Sequence, residues 1–227
     1  MGNFDIADFI TKLAIYMVVW LFAVSAHEAA HAWMSLKFGD DTAERLGRVT
    51  LNPIPHIDPL GTLILPILAF IASYSPAAAG LPLIMWGKPT PVNPLRWRNK
   101  DTANVMVSLA GIGVNIIIAV IVFFIIKILF MTEVLTLASI NEGIAKPVFT
   151  LLIGALTLNI GLAIFNLLPV PPLDGGRALE SFLPNKYEAF YQMLETYGFL
   201  ILLILIYMGV LGYIIGPINN LIFYLLF

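Results

Sequence analysis

The sequence predicts an all-α, polytopic membrane protein: a single domain, residues 1–227, built as a bundle of transmembrane helices. Apolar residues make up 59% of the chain and charged residues 11%, and the mean hydropathy is +0.91. Soluble domains contain about 45–50% apolar and about 25% charged residues. Several apolar segments are also long enough for a membrane-spanning helix, which needs about 20 residues. These observations exclude an ordinary soluble domain.

Five apolar segments set the order of the predicted elements. They lie near residues 8–36, 60–86, 103–131, 147–168 and 197–227. The first, third, fourth and fifth segments each have the length of one span. The second is interrupted by prolines and a glycine, and it is too short for two full crossings. We therefore predict that it forms either one kinked span or a re-entrant hairpin.

The linkers between these segments are short and polar, and one of them has a strand-like pattern. Residues 47–53, GRVTLNP, alternate between apolar and polar side chains and are bounded by Gly47 and Pro53. Alternation with a period of two is typical of a strand. We therefore expect short β-like loop segments beside the helices.

Cysteine count and net charge exclude several kinds of function. The chain has no cysteine, which excludes disulfides, thiol catalysis and thiolate metal sites. Any bound metal must be held by His, Asp, Glu or backbone oxygen atoms. The net charge of −2 gives no reason to expect a nucleic-acid partner. The lipid bilayer is the partner that the composition indicates.

The first apolar segment contains an unusual polar cluster, HEAAH. Positions i and i+4 of a helix lie on one face, so His27 and His31 can present their rings to one metal ion, with Glu28 beside them. This is the H-E-x-x-H arrangement of zinc hydrolases, in which the glutamate takes a proton from metal-bound water. The alternative is that these side chains hydrogen-bond neighbouring helices. Metal binding is favoured because ionisable groups are costly inside a membrane.

A catalytic zinc site usually has a third protein ligand. The candidates are His56 and the carboxylates outside the first segment, and Asp174 in NLLPVPPLDGG is preferred. Three prolines end the fourth segment there and impose an extended backbone. Broken backbone at membrane depth is tolerated only when it is buried or lines a wet cavity. Taken alone, PPLDGG is equally consistent with an ordinary turn.

The two motifs together resemble the site-2 protease family of intramembrane metalloproteases. The resemblance implies that His27, His31 and Asp174 bind one Zn²⁺ ion and that Glu28 is the general base. It also places Asn166 in the active-site region, where it would hydrogen-bond the substrate or the developing oxyanion, or else cap the broken helix. The second motif, N-x-x-P-x-P-x-L-D-G, is complete in this chain, with Asn166, Pro169, Pro171, Leu173, Asp174 and Gly175.

A third motif lies between the other two. AGIGVN is similar to the family's G-x-x-x-N helix motif at Gly111 and Asn115, although the usual proline after the glycine is missing. These residues are expected to bind substrate or support the ligands, or else to pack helices closely, as small residues do in any membrane bundle. LNPIPHIDPLGT and GKPTPVNP resemble a compact bacterial or archaeal branch without PDZ or CBS domains. His56, in the first of these stretches, is expected either to take part in the site, by binding substrate or supporting a ligand, or to hydrogen-bond its own loop.

The resemblance implies a zinc endopeptidase that hydrolyses peptide bonds within or near the transmembrane segments of single-pass membrane protein substrates. A substrate helix must unwind before attack, because its carbonyls are hydrogen-bonded. GRVTLNP or GKPTPVNP is expected to offer an edge for pairing with the extended strand. A metal transporter and a catalytically inactive membrane binding protein are the alternatives, since intramembrane His and Asp also mark ion paths. The sequence indicates no oligomeric state.

The motifs and the charges both predict topology. A metal shared by His31, near the end of the first segment, and Asp174, beyond the fourth, forms most easily if both lie on one side. That requires an even number of crossings, so the second segment should be re-entrant. Three linkers on that side then carry nine of the 12 Lys and Arg residues, which places the mouth of the site in the cytoplasm. The alternative is a mid-membrane site reached from opposite sides. The resemblance to a bacterial or archaeal branch implies a prokaryotic cell membrane.

Overall fold

The computed structural model describes residues 5–74 and 85–227, and the described chain is largely helical. A π-helical turn, Pro59–Ile64, leads into α3, and four 3₁₀ turns lie in the loops: Ile54–His56, Pro94–Arg96, Ser139–Asn141 and Asn185–Tyr187. The α-helices are α1 (Ile6–Lys37), α2 (Thr42–Arg45), α3 (Leu65–Ala72), α4 (Lys100–Met131), α5 (Ala145–Leu167), α6 (Asp174–Glu180), α7 (Glu188–Tyr207) and α8 (Val210–Leu226).

Four of these helices, α1, α4, α5 and α7, are long and apolar enough to cross a membrane. Each of the first three corresponds to one predicted apolar segment. The side chain of Asp5 accepts hydrogen bonds from the first turn of α1, and that of Asn99 does the same for α4, so both helices begin at a favourable N-cap. The prediction of an all-α, polytopic membrane protein is confirmed.

Helices α1 and α5 run in the same direction, and α4 runs opposite to both. At one end of the bundle, Lys146 Nζ at the start of α5 lies 2.6 Å from Asp8 Oδ1 at the start of α1. At the other end, the N–H of Arg98, just before α4, donates to the carbonyl of Phe38, just after α1 (2.9 Å). We call this second end the site end. The chain between Phe38 and Arg98 therefore leaves it and returns to it.

The second predicted segment, residues 60–86, also begins and ends at the same place in the bundle. The Trp86 N–H donates to the Gly61 carbonyl (3.3 Å), and the Thr62 hydroxyl donates to the Trp86 carbonyl (3.0 Å). The two ends of the segment therefore lie side by side, as expected for a re-entrant segment and not for a span. Its residues 75–84 lie outside the described ranges.

The predicted strand over residues 47–53 is wrong, and the described ranges contain no strand. Hydrogen bonds in this stretch are local: the Asn52 N–H donates to Thr50 Oγ1 (3.1 Å), and the Ile54 N–H donates to Asn52 Oδ1 (3.1 Å). Side chains of this kind compete with ladder hydrogen bonds by closing turns on their own backbone. Alternation alone does not form a strand when no neighbouring strand is present to pair with it.

The fifth predicted segment is one crossing made of two helices. The chain breaks between α7 and α8 at Gly209, whose φ of +72° is accessible to glycine without strain. Gly198 of α7 packs against the carbonyl of Pro171 at the site end. Phe227, just after α8, packs on Phe130 at the opposite end, with ring centroids 4.9 Å apart. The two helices therefore share the passage from one end of the bundle to the other.

A packed apolar layer joins α4, α5 and α8 in the half of the bundle away from the site. At its edge, Lys127 Nζ donates to the carbonyls of Leu225 (2.8 Å) and Leu226 (3.3 Å), which satisfies the open C-terminal end of α8. Because α4 and α5 are held together there, their other ends can support a fixed polar site. The buried members of the layer are Ala119, Val122, Ile126, Leu156, Ile160 and Leu226.

Candidate metal centre

The three predicted ligands, far apart in sequence, meet at the site end of the bundle. His27 and His31 lie one turn apart on α1, and Asp174 is the first residue of α6. The two Nε2 atoms are 3.0 Å apart. Asp174 Oδ2 lies 3.1 Å from Nε2 of His27 and 3.2 Å from Nε2 of His31. Each of the three residues is 8% exposed. The structure therefore brings together the His27, His31 and Asp174 group that the sequence indicated.

Hydrogen bonds behind the two rings decide which nitrogen faces the centre. Nδ1 of His31 lies 2.7 Å from the Val107 carbonyl, which can only accept, so this nitrogen carries the proton. Nδ1 of His27 lies 2.7 Å from Oδ1 of Asn115, whose amide nitrogen donates to Asn159 Oδ1 (2.7 Å). Both neutral rings thus present the lone pair of Nε2 to the centre, with the outer hydrogen bonds typical of metal-binding histidines.

This donor set fits a tetrahedral metal ion. Three lone pairs at 3.0–3.2 Å repel one another unless a cation lies among them. A proton bridges only one pair of atoms, whereas a metal ion satisfies all three. Asp174 Oδ2 is buried without a hydrogen-bond partner in the described residues. Tetrahedral zinc with bonds of about 2.0–2.1 Å places its donors about 3.3–3.4 Å apart, close to the observed spacing, and leaves a fourth position open.

Gly111 of α4 provides the space that the two rings occupy. A Cβ atom at this position would lie 2.5 Å from Cε1 of His27 and 2.6 Å from Nε2 of both His27 and His31. Atoms at such distances overlap, so a side chain at Gly111 would displace the ligands. The structure thus places Gly111 against the two histidine rings and Asn115 behind the ring of His27.

Glu28 lies beside the ligand group, where a loop contact fixes it. Its Oε2 accepts a hydrogen bond from the Thr90 N–H (2.8 Å), and the Thr90 hydroxyl donates to the Glu28 backbone carbonyl (2.9 Å). The second Glu28 oxygen is therefore left for other partners. Sequence reasoning missed Thr90, although it lies in the GKPTPVNP loop that the sequence analysis singled out.

A buried carboxylate anchors the loop that carries Thr90. Asp40, 0% exposed, accepts hydrogen bonds from the Ser35 hydroxyl (2.9 Å) and from the Asn93 N–H (2.7 Å). Burial alone would raise the pKa of Asp40, but hydrogen bonds from Thr42, Asn93 and Ser35 hold it below its ordinary value. The charged carboxylate thus ties the loop to the end of α1, close to Glu28.

Three glycines of α6 and α7 pack so closely against the end of α5 and the loop that follows it that none of them could carry a side chain. A Cβ at Gly175 would overlap the carbonyl of Leu167, one at Gly176 would overlap the backbone of Pro171, and one at Gly198 of α7 would also overlap Pro171. These contacts hold the loop against the ends of α5 and α7 and so fix Asp174 at its N-terminal position on α6. Gly198 could not be identified from the sequence, because its contact is with Pro171, 27 residues away.

Asn166 reaches the cavity but not the ligand group. The ligands and Glu28 line a cavity of about 740 Å³. Asn166 lines the same cavity from the end of α5, and its amide nitrogen donates to the Leu162 carbonyl (3.0 Å). Further polar side chains that line this cavity, and that the sequence did not indicate, are Asn104, Arg177, Glu180, Tyr191 and Glu195.

His56 is not part of the site. It is 1% exposed, its Nε2 lies 2.9 Å from the Thr50 carbonyl, and its own carbonyl accepts from the Lys88 N–H (2.9 Å). It is absent from the residues that line the cavity. This placement agrees with the loop hydrogen-bonding alternative and not with a substrate-binding or ligand-supporting role. The backbone at Thr50, with no paired strand, uses the ring as its partner.

Comparison with known proteins agrees with this geometry. The chain matches Peptidase family M50 over residues 15–206. YwhC of Bacillus subtilis strain 168, named as a candidate zinc metalloprotease, is 38% identical over 210 residues, which cover 92% of this chain and 88% of YwhC. Proteins named Rip2, also candidate zinc metalloproteases, are 29% identical in Mycolicibacterium smegmatis and 31% identical in Mycobacterium tuberculosis. The matches cover 82% of this chain but 64% of each Rip2 protein. No solved structure shows significant similarity.

The chain therefore belongs to peptidase family M50, the site-2 protease family whose motifs its sequence carries. It is a metalloprotease by class, with zinc as the cofactor that suits its two histidines and one aspartate.

Proposed function

We propose that this protein is an intramembrane zinc endopeptidase that hydrolyses peptide bonds within or near the transmembrane segments of single-pass membrane proteins. The observation that carries the proposal is the placement of the ligand group and Glu28 in one cavity, at the end of a bundle of membrane-length helices. Soluble metalloproteases need no such surroundings. A site enclosed by these helices is suited to peptide bonds that leave the lipid phase.

The roles of the residues follow from their positions. His27, His31 and Asp174 would hold a zinc ion, which would supply Lewis acidity at the site. Glu28 would act as the general base, taking a proton from the attacking water and returning it to the leaving amine. The Thr90 N–H holds one Glu28 oxygen, so that the other oxygen is directed to the proton it transfers. Asn166 lines the cavity within reach of an extended substrate and donates a hydrogen bond to it.

The extended loop of residues 85–91 supplies an edge for the unwound substrate. The N–H groups of Trp86, Lys88 and Thr90 donate to the Gly61 carbonyl, the His56 carbonyl and the Glu28 side chain. Alternate residues of an extended chain face opposite edges. The other edge therefore presents Gly87 and the prolines at 89 and 91, which have no N–H group.

Gly87 is the residue on this free edge that offers both a donor and an acceptor. It lines the cavity, and a Cβ there would lie 2.4 Å from Val24 Cγ1 and 3.4 Å from Glu28 Cγ. We propose that the substrate strand pairs with Gly87 by β-addition, which aligns the scissile bond with the base and the ligands. The prolines limit that pairing to a short stretch.

Charge supports a cytoplasmic mouth. Lys12, Lys127 and Lys146 lie at the end of the bundle opposite the site, and the other nine of the 12 Lys and Arg residues follow helices at the site end or lie in the loops between them. Lys and Arg accumulate on the cytoplasmic side of membrane proteins. Bacterial relatives support a bacterial cell membrane as the location.

Reconstitution tests the proposal. The purified protein in lipid vesicles is incubated with a synthetic single-pass membrane peptide that contains a helix-destabilising Gly-Ser stretch, and cleavage is measured by mass spectrometry. Cleavage within or next to the spanning segment, lost on chelation and restored by Zn²⁺, is the expected result. The matched variants His31→Ala and Glu28→Gln should both be inactive, and Glu28→Gln should retain the metal. Cleavage by the His31→Ala variant, or cleavage confined to soluble peptides, would contradict it.

A further inference from the structure

A second cavity lies between α1, α5 and the broken α7–α8 pair, and Phe70 of α3 and Met85 also line it. Its volume is about 620 Å³. Its lining is almost entirely apolar and includes Val19 of α1, Leu158 of α5, Ile206 of α7, and Leu211 and Ile215 of α8. We call it the apolar groove. The metal-site chemistry does not use it.

The apolar groove is continuous with the catalytic cavity. Trp20, Met85, Leu162 and Phe165 line both. Leu162 and Phe165 lie in the last turns of α5, next to Asn166. A molecule bound along the groove would therefore extend into the cavity that contains the ligands and Glu28. A pocket for an unrelated apolar molecule would not need this connection.

One row of α5 residues along the groove carries small side chains at successive helical turns, beside the larger Leu158, Leu162 and Phe165. The small residues are Thr150, Gly154, Thr157 and Gly161. The Thr150 hydroxyl donates to the Lys146 carbonyl and the Thr157 hydroxyl to the Ile153 carbonyl, each at 2.8 Å, so neither needs another polar partner. This row, the small-residue face, presents methyl groups and backbone to the groove, a surface of the kind that allows membrane helices to approach closely.

Packing within the described chain does not explain the two glycines. A Cβ at Gly161 would meet no heavy atom within 4 Å, and one at Gly154 would meet only Val19 Cγ2, at 4.0 Å. Gly111, in contrast, has no room for a Cβ. The free space at Gly154 and Gly161 fits a partner that is separate from the described chain.

The dimensions of the groove match a helix. From Thr150 to Phe165, α5 rises about 22 Å, most of the roughly 30 Å of the hydrocarbon core. We propose that the apolar groove holds the transmembrane helix of the substrate against the small-residue face of α5, while the adjoining residues unwind toward Gly87. This inference rests on the proposed function. It identifies the substrate class as helices that themselves present small residues to this face.

Cross-linking tests the groove without requiring catalysis, because the chain has no cysteine. The probe is a synthetic single-pass peptide of about 24 residues, with Ala and Gly along one face and one cysteine at mid-helix. The Glu28→Gln protein carries either Thr157→Cys in the groove or Ile117→Cys, which is 58% exposed on α4. The depth of the two positions matches, since Asn115 contacts Asn159.

Disulfide formation at Thr157→Cys should exceed that at Ile117→Cys by about tenfold, the ratio given by about 1.4 kcal/mol of helix packing. Equal yields at the two positions would overturn the groove assignment. Because the protein is inactive in this assay, the result stands whether or not the wild type cleaves the peptide. A failure of the proposed function is therefore separate from a failure of the groove.

Filling the groove provides the kinetic test. Gly161→Leu adds a side chain into free space, so zinc content and melting temperature should stay unchanged while kcat/KM for the membrane peptide falls about tenfold. Gly212→Leu is the matched control, because Gly212 also has no heavy atom within 4 Å of an added Cβ but lies outside the groove. Unchanged kcat/KM in Gly161→Leu, or an equal loss in Gly212→Leu, would overturn the assignment.

Discussion

Glycines at the metal site and glycines along the apolar groove serve opposite purposes. At the metal site, a Cβ at Gly111 or Gly175 would overlap a ligand ring or the backbone of the loop before α6. Along the apolar groove, Gly154 and Gly161 have free space around them. The first pair lets this chain pack closely on itself and so fixes the ligands. The second pair leaves a surface for another helix. The same residue type thus supports a rigid site in one region and a docking face in the other.

The largest difference between the two regions is expected in the zinc content of the Gly111→Ala and Gly161→Ala variants. Because the new methyl group overlaps both ligand rings, Gly111→Ala should lose bound zinc and all measurable cleavage, while Gly161→Ala should retain one zinc ion per chain. Elemental analysis of the purified variants checks this, with circular dichroism to establish that both are folded. Gly113→Ala, next to Gly111 but in free space, serves as the activity control. Full zinc occupancy in Gly111→Ala would show that the rings are not confined as described.

Glu28→Gln should reduce kcat by about 10²–10⁴-fold, the usual contribution of a general base, while zinc binding stays intact. The amide keeps the size of the side chain and can still accept the Thr90 hydrogen bond, but it cannot take a proton. Single-turnover cleavage and zinc stoichiometry measured on the same sample provide the test. Turnover close to that of the wild type would remove Glu28 from the chemistry.

Asn115→Ala should weaken zinc binding by about 10–100-fold, the effect typical of losing a hydrogen bond behind a metal ligand. It frees Nδ1 of His27 and also leaves Asn159 without its donor. Zinc affinity is measured by competition with a chelator of known affinity. An affinity equal to that of the wild type would mean that the orientation of the His27 ring is set elsewhere.

Thr90→Val should have the smallest effect, about a fivefold loss of kcat for a hydrogen bond of about 1 kcal/mol. The backbone N–H that holds Glu28 remains, and only the hydroxyl contact to the Glu28 carbonyl is lost. Thr132→Val is the control, since its hydroxyl bonds only within α4. The prediction fails if Thr90→Val and Thr132→Val have the same kcat, and Thr90→Ser should restore the rate.

The parts of the site that could be predicted are those whose chemistry is local in sequence. The spacing of His27 and His31 places both on one helical face, and the proline-rich stretch before Asp174 ends a helix where a ligand is needed. Thr90 and Asn159 could not be predicted, because they contact Glu28 and Asn115 from 62 and 44 residues away. Such contacts depend on which helices become neighbours.

The fold shows the same limit. Lengths of apolar segments predicted the helices well, since hydrophobic length is a property of the segment itself. The expected strand at 47–53 is wrong because a strand depends on a neighbour. The break at Gly209 was missed, because a glycine in an apolar run is equally compatible with a continuous membrane helix.

Zinc content of the Asp174→Ala and His56→Ala variants decides which residue is the third metal ligand. His27, His31 and Asp174 are assigned as the ligands, and His56 is assigned to a loop only. Elemental analysis of the two purified, folded variants, dialysed against the same zinc buffer, should find His56→Ala with one zinc ion per chain and Asp174→Ala with almost none. Zinc retained by Asp174→Ala and lost from His56→Ala would contradict the account.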